Sequence, residues 1–164
     1  MISYILIGLI AYFVGSISFS IIFTKAFTGE DIREKGSGNA GSTNMLRSVG
    51  KKAALITLLC DILKGIVSIL IAILIGNIFK DLNKALLVQI AGLAVVIGHT
   101  FPVFFKFKGG KGVATALGII LLTNWQIGLI CLIFGVILII VTKMVSLRFS
   151  YGGNSISNIN NIYT

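Results

Sequence analysis

Long uncharged runs alternate with short polar, basic segments along this chain. Ile2 to Phe23 carries no charge and is about long enough to cross a bilayer. No Lys or Arg precedes it, so it lacks the basic start of a secretory signal peptide and reads as a retained first transmembrane helix. Ala53 to Ile78 is a second apolar stretch, broken only by Asp61 and Lys64, and Ala85 to Phe105 is a third, closed by Pro102. Val113 to Val141 is a 29-residue uncharged run, too long for one untilted span. Its middle, Thr123-Asn-Trp-Gln126, is polar with an interfacial aromatic, which predicts a tight turn between two short helices. The half before that turn has roughly 11 residues and suits a re-entrant or protein-buried helix. The pattern predicts an all-α, polytopic membrane bundle of about five membrane helices. Residues 1–147 read as the membrane-embedded domain, and residues 148–164, rich in Ser and Asn, as a polar disordered tail.

Composition sharpens this picture. Of 164 residues, 56% are hydrophobic and only 12% charged, about half the charged share of a soluble domain, and the mean hydropathy is +1.02. Fourteen Lys and Arg stand against five Asp and Glu, a net charge of +9. Confined to short loops between apolar spans, that excess points to anionic ligands at a membrane and not to nucleic acid. Placing the N-terminus outside puts Lys25, Arg33, Lys35, Arg47, Lys51, Lys52, Lys106, Lys108, Lys111, Lys143 and Arg148 on the inner side. Only Lys80 and Lys84 then lie outside, as the positive-inside rule prefers. Cys60 and Cys131 lie far apart in apolar segments and read as small core residues. One histidine and a few scattered carboxylates predict no metal, and nothing predicts a cofactor.

Two glycine-rich basic loops carry the candidate chemistry. The first combines Gly36, Gly38, Gly41 and Gly50 with Ser37, Asn39, Ser42, Thr43, Asn44 and Arg47. Glycines let backbone N–H groups converge on an anion, hydroxyls and amides add hydrogen bonds, and Arg47 can grip a phosphate with two donors. Gly36-x-Gly38-x-x-Gly41 matches a dinucleotide fingerprint in letters only, because no strand precedes it and membrane spans surround it. The second loop runs Lys106-Phe-Lys108-Gly109-Gly110-Lys111-Gly112 into the next helix, where backbone amides and lysines form an anion site. Phe105 stands where a Walker motif needs its leading glycine, so ATP is not implied. Gly109, Gly110 and Gly112 are expected to leave room for a phosphate beside the backbone. An interfacial anchor, with phenylalanines in lipid and lysines on headgroups, fits that loop equally well. His99 fits a general base or a residue holding a carbonyl at the interface. Asp61 and Lys64 share a helix face, roughly 13 Å past Lys52, and either simply pair or orient the loops from below.

Gly36-Ser-Gly-Asn-Ala-Gly-Ser-Thr-Asn-Met-Leu-Arg47, Asp61-Ile-Leu-Lys-Gly65 and Gly98-His-Thr-Phe-Pro-Val-Phe-Phe-Lys-Phe-Lys-Gly-Gly-Lys-Gly-Val-Ala-Thr115 resemble the first two signature motifs of the bacterial acyl-phosphate-dependent glycerol-3-phosphate acyltransferases. The resemblance implies an integral enzyme of the bacterial inner membrane, with both loops cytoplasmic. It would move a fatty acyl group from acyl phosphate to glycerol 3-phosphate, giving lysophosphatidic acid and phosphate without metal or cofactor. It also implies that Ser37 and Arg47 serve catalysis, and His99 stands beside them as a further catalytic candidate. Gly36, Gly38, Asn39, Thr43, Asn44, Lys106, Lys108, Gly109, Gly110, Lys111 and Gly112 would hold the phosphates. The family's third motif, with histidine, asparagine and glutamate, has no counterpart after Ser146-Leu147. A frameshift or premature stop there would give this ending, and impaired turnover is the corresponding expectation. The competing class is a small phosphate or organophosphate transporter, which would show no acyl transfer in detergent; no inverted repeat favours it.

Overall fold

The structure, a computed structural model, describes residues 1–138, and the tail predicted at 148–164 lies outside them. The described residues divide into two units, Met1–Gly128 and 129–138. Every regular element among the described residues is helical. In order these are α1 (Ile2–Gly15), α2 (Phe19–Thr28), α3 (Ser42–Ser48), α4 (Lys51–Ile78), α5 (Lys84–Thr100), α6 (Val113–Thr123) and α7 (Trp125–Leu138), with single 3₁₀ turns at Ile32–Glu34 and Val103–Phe105. Three segments are long and apolar enough to cross a membrane: Ile2–Thr28, Lys51–Ile78 and Lys84–Phe105.

The first of these departs from the sequence expectation of one continuous helix. It breaks at residues 16–18, between α1 and α2. Ser16 turns its hydroxyl back onto the Tyr12 carbonyl at 2.9 Å, and Ser18 adopts an extended conformation ahead of α2. The break leaves the carbonyls of Gly15 and Ile17 without helical partners, which is costly where water is scarce. Lys64 of α4 satisfies both, its ammonium donating at 3.0 Å to Gly15 and 2.8 Å to Ile17. The polar middle of the last apolar run behaves as expected. Asn124 ends α6, and its side chain accepts from Ile127 N at 3.1 Å to start α7. The cysteines depart from expectation too, since Cys60 is half-buried and Cys131 exposed.

Small residues let the helices of the first unit meet backbone to backbone. α1 packs on α5 where the Val95 carbonyl lies against Gly15 and the Tyr12 carbonyl against Gly98. α4 meets α6 where the Thr115 carbonyl lies against Gly65 and the Ile62 carbonyl against Gly118. Membrane helices gain little from burying apolar surface against each other, so close contact at small residues supplies much of the attraction. A cluster of Ile7, Ala11, Ile69, Ala72, Leu87, Ala91 and Val95 fills the space among α1, α4 and α5. Tyr4 and Tyr12 tie both ends of α1 to α5, through Asn83 N and the Phe101 carbonyl at 2.9 Å each.

A methyl group at Gly118 would collide with the Ile62 carbonyl, whereas nothing lies within 4 Å of one at Gly135. Gly118→Ala is therefore expected to cost about 1–3 kcal/mol, and Gly135→Ala nothing. Comparing melting temperatures in detergent checks this, and equal melting of the two variants would refute the close approach.

Candidate functional site

The first glycine-rich loop is organised from beneath by Asn44. Its amide nitrogen donates to the carbonyls of Ile32, Lys35 and Asn39 at 3.1, 2.9 and 3.1 Å. Its oxygen accepts from Ser37 N at 3.0 Å. The side chain is buried and fully committed, so it shapes the loop and does not reach a ligand on the loop's outer face. Gly36 is required here, because it is left-handed (φ 56°) and its α-carbon lies against the Asn44 oxygen and Ser48 hydroxyl.

The second loop doubles back across the end of α5. Gly109 N donates to the Thr100 carbonyl and Gly110 N to the His99 carbonyl, both at 3.1 Å. Lys106 and Phe107 are both left-handed at φ 57°, a conformation costing on the order of 1 kcal/mol or more per residue. Phe107 N, donating to the Pro102 carbonyl at 2.9 Å, helps to fix this turn. A methyl at Gly109 would strike the carbonyls of His99 and Thr100, and one at Gly110 the His99 ring and the Ala40 carbonyl. These glycines therefore make room for protein where a methyl would sit, and Gly109 also lines the cleft between the loops. Gly112, left-handed at φ 76°, starts α6 as expected.

Arg33 joins the two loops. Its Nη1 donates to the Phe105 carbonyl at 2.7 Å and more weakly to that of Lys108 at 3.4 Å. Its Nε and Nη2 grip the Asp31 carboxylate at 2.6–3.1 Å. Arg33, by hydrogen bonding, holds the Asp31 carboxyl below the usual carboxylate range. A depressed folded-state pKa contributes stability above the ordinary carboxylate value and loses it as pH falls through the lower one, so this junction holds at neutral pH and loosens only in acid.

Between the loops lies a cleft of about 400 Å³, lined by Asp31, Arg33, Glu34, Gly38, Lys106, Lys108 and Gly109. Four of the residues singled out from sequence thus meet there: Gly38, Lys106, Lys108 and Gly109. Lys106 and Lys108 are exposed with no acidic partner among the described residues, whereas Lys35 pairs with Glu30. Ser37, Thr43, Arg47 and Lys111 are exposed, and Asn39 half-buried. Arg47 stands on α3 outside the cleft lining and makes no ion pair among the described residues. Sequence reasoning counted Arg33 only among the inner-side basic residues and did not single out Asp31. The signal was Asp-x-Arg at a turn, but the partner carbonyls lie more than seventy residues away.

His99 sits below the second loop with 5% exposure. Its Nδ1 lies 3.5 Å from Asp61 Oδ1 and 3.4 Å from Thr115 Oγ1, and Nε2 faces Gly110. Asp61 also pairs with Lys64 at 3.0 Å. No described hydrogen bond links Ser37 to this cluster, so a Ser37/His99/Asp61 relay is not assembled here.

Comparison with known proteins identifies the family. Residues 5–156 match the family described as glycerol-3-phosphate acyltransferase. The glycerol-3-phosphate acyltransferase of Thermoanaerobacter sp. (strain X514) is 45% identical over 159 residues, covering 97% of this chain and 77% of that protein. That of Clostridioides difficile (strain 630) is 46% identical over 145 residues, covering 88% and 71%. The crystal structure of PlsY (YgiH), an integral membrane glycerol 3-phosphate acyltransferase in its glycerol 3-phosphate form, is similar with a TM-score of 0.71 at 40% identity. That match covers 83% of this chain and 66% of that one. Its lysophosphatidic acid form gives 0.65 at 40% identity, covering 78% and 60%. With these matches and its apolar helices, the chain is a multi-pass membrane protein that belongs to the glycerol-3-phosphate acyltransferase family.

Proposed function

We propose that this chain transfers a fatty acyl group from acyl phosphate to the 1-hydroxyl of glycerol 3-phosphate, at the cytoplasmic face of a bacterial inner membrane. The hydroxyl oxygen attacks the acyl carbonyl, the bond from that carbon to the phosphate oxygen breaks, and the hydroxyl proton leaves with the phosphate. The products are lysophosphatidic acid and inorganic phosphate. The observation that carries this reading is the basic cleft between two glycine-shaped loops beside apolar spans. Both substrates bear phosphate, and the acyl chain needs lipid. Acyl phosphate is already an activated mixed anhydride, so holding two anions together and neutralising the leaving phosphate supplies much of the catalysis.

In this reading Lys106 and Lys108 hold one phosphate in the cleft, which Gly38 and Gly109 line. Arg47 and Ser37 reach the reacting end, with Asn39, Thr43 and Lys111 around it. Gly36, Asn44, Gly110 and Gly112 set the loop shapes. The N-terminus lies outside and both loops inside, as the distribution of basic residues favours.

The direct test is an assay in detergent with acyl phosphate and acyl-CoA side by side, together with melting curves at rising glycerol 3-phosphate. Acyl transfer from acyl phosphate, and a melting temperature that climbs with glycerol 3-phosphate, are expected. Absence of both would remove the proposal. Lys108→Met should raise the KM for glycerol 3-phosphate about tenfold, the value of one charged contact. Its melting temperature should not change, because the side chain is exposed. Arg47→Lys keeps the charge but loses the planar fork, and kcat should fall by roughly 10²-fold or more; near-normal turnover would take Arg47 out of the site. For sidedness, Ser37→Cys should react with an impermeant maleimide in inverted vesicles and resist it in intact cells.

A further inference from the structure

Beneath the cleft lies a buried polar cluster that the proposed chemistry does not use. Asp61 on α4 is 2% exposed, Lys64 4%, His99 on α5 5% and Thr115 on α6 fully buried. Lys64 commits its ammonium to the carbonyls of Gly15 and Ile17 and to Asp61. Asp61 Oδ1 lies within ion-pair distance of Lys64, yet it is a buried atom that makes no hydrogen bond. From another helix, His99 Nδ1 approaches it to 3.5 Å. The opposite edge of the same ring, Nε2, rests on Gly110. The His99 carbonyl also accepts from Gly110 N. Gly110 in turn abuts the Ala40 carbonyl of the first loop, and its neighbour Gly109 lines the cleft.

We propose that Asp61 and Lys64 are positioning residues for glycerol 3-phosphate, acting through His99 on the Gly109–Gly110 segment; this rests on the function proposed above. The imidazole is a rigid spacer between a charge pair fixed to the broken N-terminal helix and a loop with no side chain to absorb movement. Displacing the ring shifts Gly110, and with it the floor of the cleft and the approach to Ala40. The chain of contacts therefore sets the separation of the two loops. A single phosphate held between them feels that separation in its affinity more than in the rate of the chemical step.

A buried ion pair that only stabilises helices makes a different prediction. Removing one partner strands a charge and destabilises the protein in either case, whereas removing both charges together is often tolerated. The double variant Asp61→Asn/Lys64→Gln keeps amide donors for the freed carbonyls and leaves no buried charge. It is expected to melt close to the parent. Its KM for glycerol 3-phosphate should rise about tenfold, with kcat changed less than about threefold and the KM for acyl phosphate unchanged. The glycerol 3-phosphate-dependent rise in melting temperature should weaken in parallel. His99→Asn retains an amide toward Asp61 but removes the ring edge from Gly110, so its melting temperature should respond less to glycerol 3-phosphate than the parent's even where the double variant does not fold. A folded double variant, or His99→Asn, with unchanged KM would overturn the positioning role while leaving the proposed reaction intact. A parent chain that neither transfers an acyl group nor responds to glycerol 3-phosphate would overturn both.

Discussion

One buried ammonium sets the terms for the first unit. The N-terminal apolar segment breaks at residues 16–18, and such a break within an apolar span is tolerated only where protein replaces the lost backbone hydrogen bonds. Lys64 does so with two donors and turns its remaining charge toward Asp61. An ammonium at that depth is expensive alone and acceptable when paired. The Phe19 ring, 5.8 Å away at the start of α2, adds a weaker cation–π contact on the same group. Helix break, ion pair and the floor of the second loop are thereby parts of one connected arrangement.

The same logic of replacing lost partners shapes the loops. A glycine-rich segment left to itself would sample many conformations, and ordering it carries a high entropic cost. Asn44 offsets that cost by gathering three carbonyls and one N–H onto one buried amide. Arg33 then fastens the first loop to the second through carbonyls that no helix uses. Polar side chains with full hydrogen bonding hold the scaffold, while Lys106 and Lys108 remain exposed at its lip.

What the sequence revealed depended on how local the cause was. The turn at Asn124 was legible because a polar run interrupts apolar residues and its cap is three residues away. The Asp61–Lys64 pair was legible from helical spacing. The break after Gly15 was not, since Ser16 and Ser18 are mild interruptions and the lysine that stabilises them lies 49 residues from Gly15. Arg33 counted only as a basic residue on one side of a membrane, because its carbonyl partner at Phe105 is 72 residues distant. The glycines at 109 and 110 were recognised as special but assigned to a ligand. Their α-carbons also face His99 and Ala40, a long-range contact that no local pattern encodes.

Segregating cations by burial has a consequence for catalysis on phosphates. An exposed lysine keeps its hydration until an anion displaces it, so it contributes binding and steering that salt screens. A buried, fully paired charge contributes nothing to encounter, but its geometry does not relax when a ligand arrives. Lys64 is of the second kind, and the half-buried Arg33 is likewise bound to a carboxylate and to backbone carbonyls; Lys106 and Lys108 are of the first. A cleft built this way can exchange small anionic ligands rapidly at its lip while its floor keeps a fixed shape. The proposed reaction brings two phosphate-bearing molecules together at a lipid surface and releases a phosphate each turn, and it calls for both properties in one site.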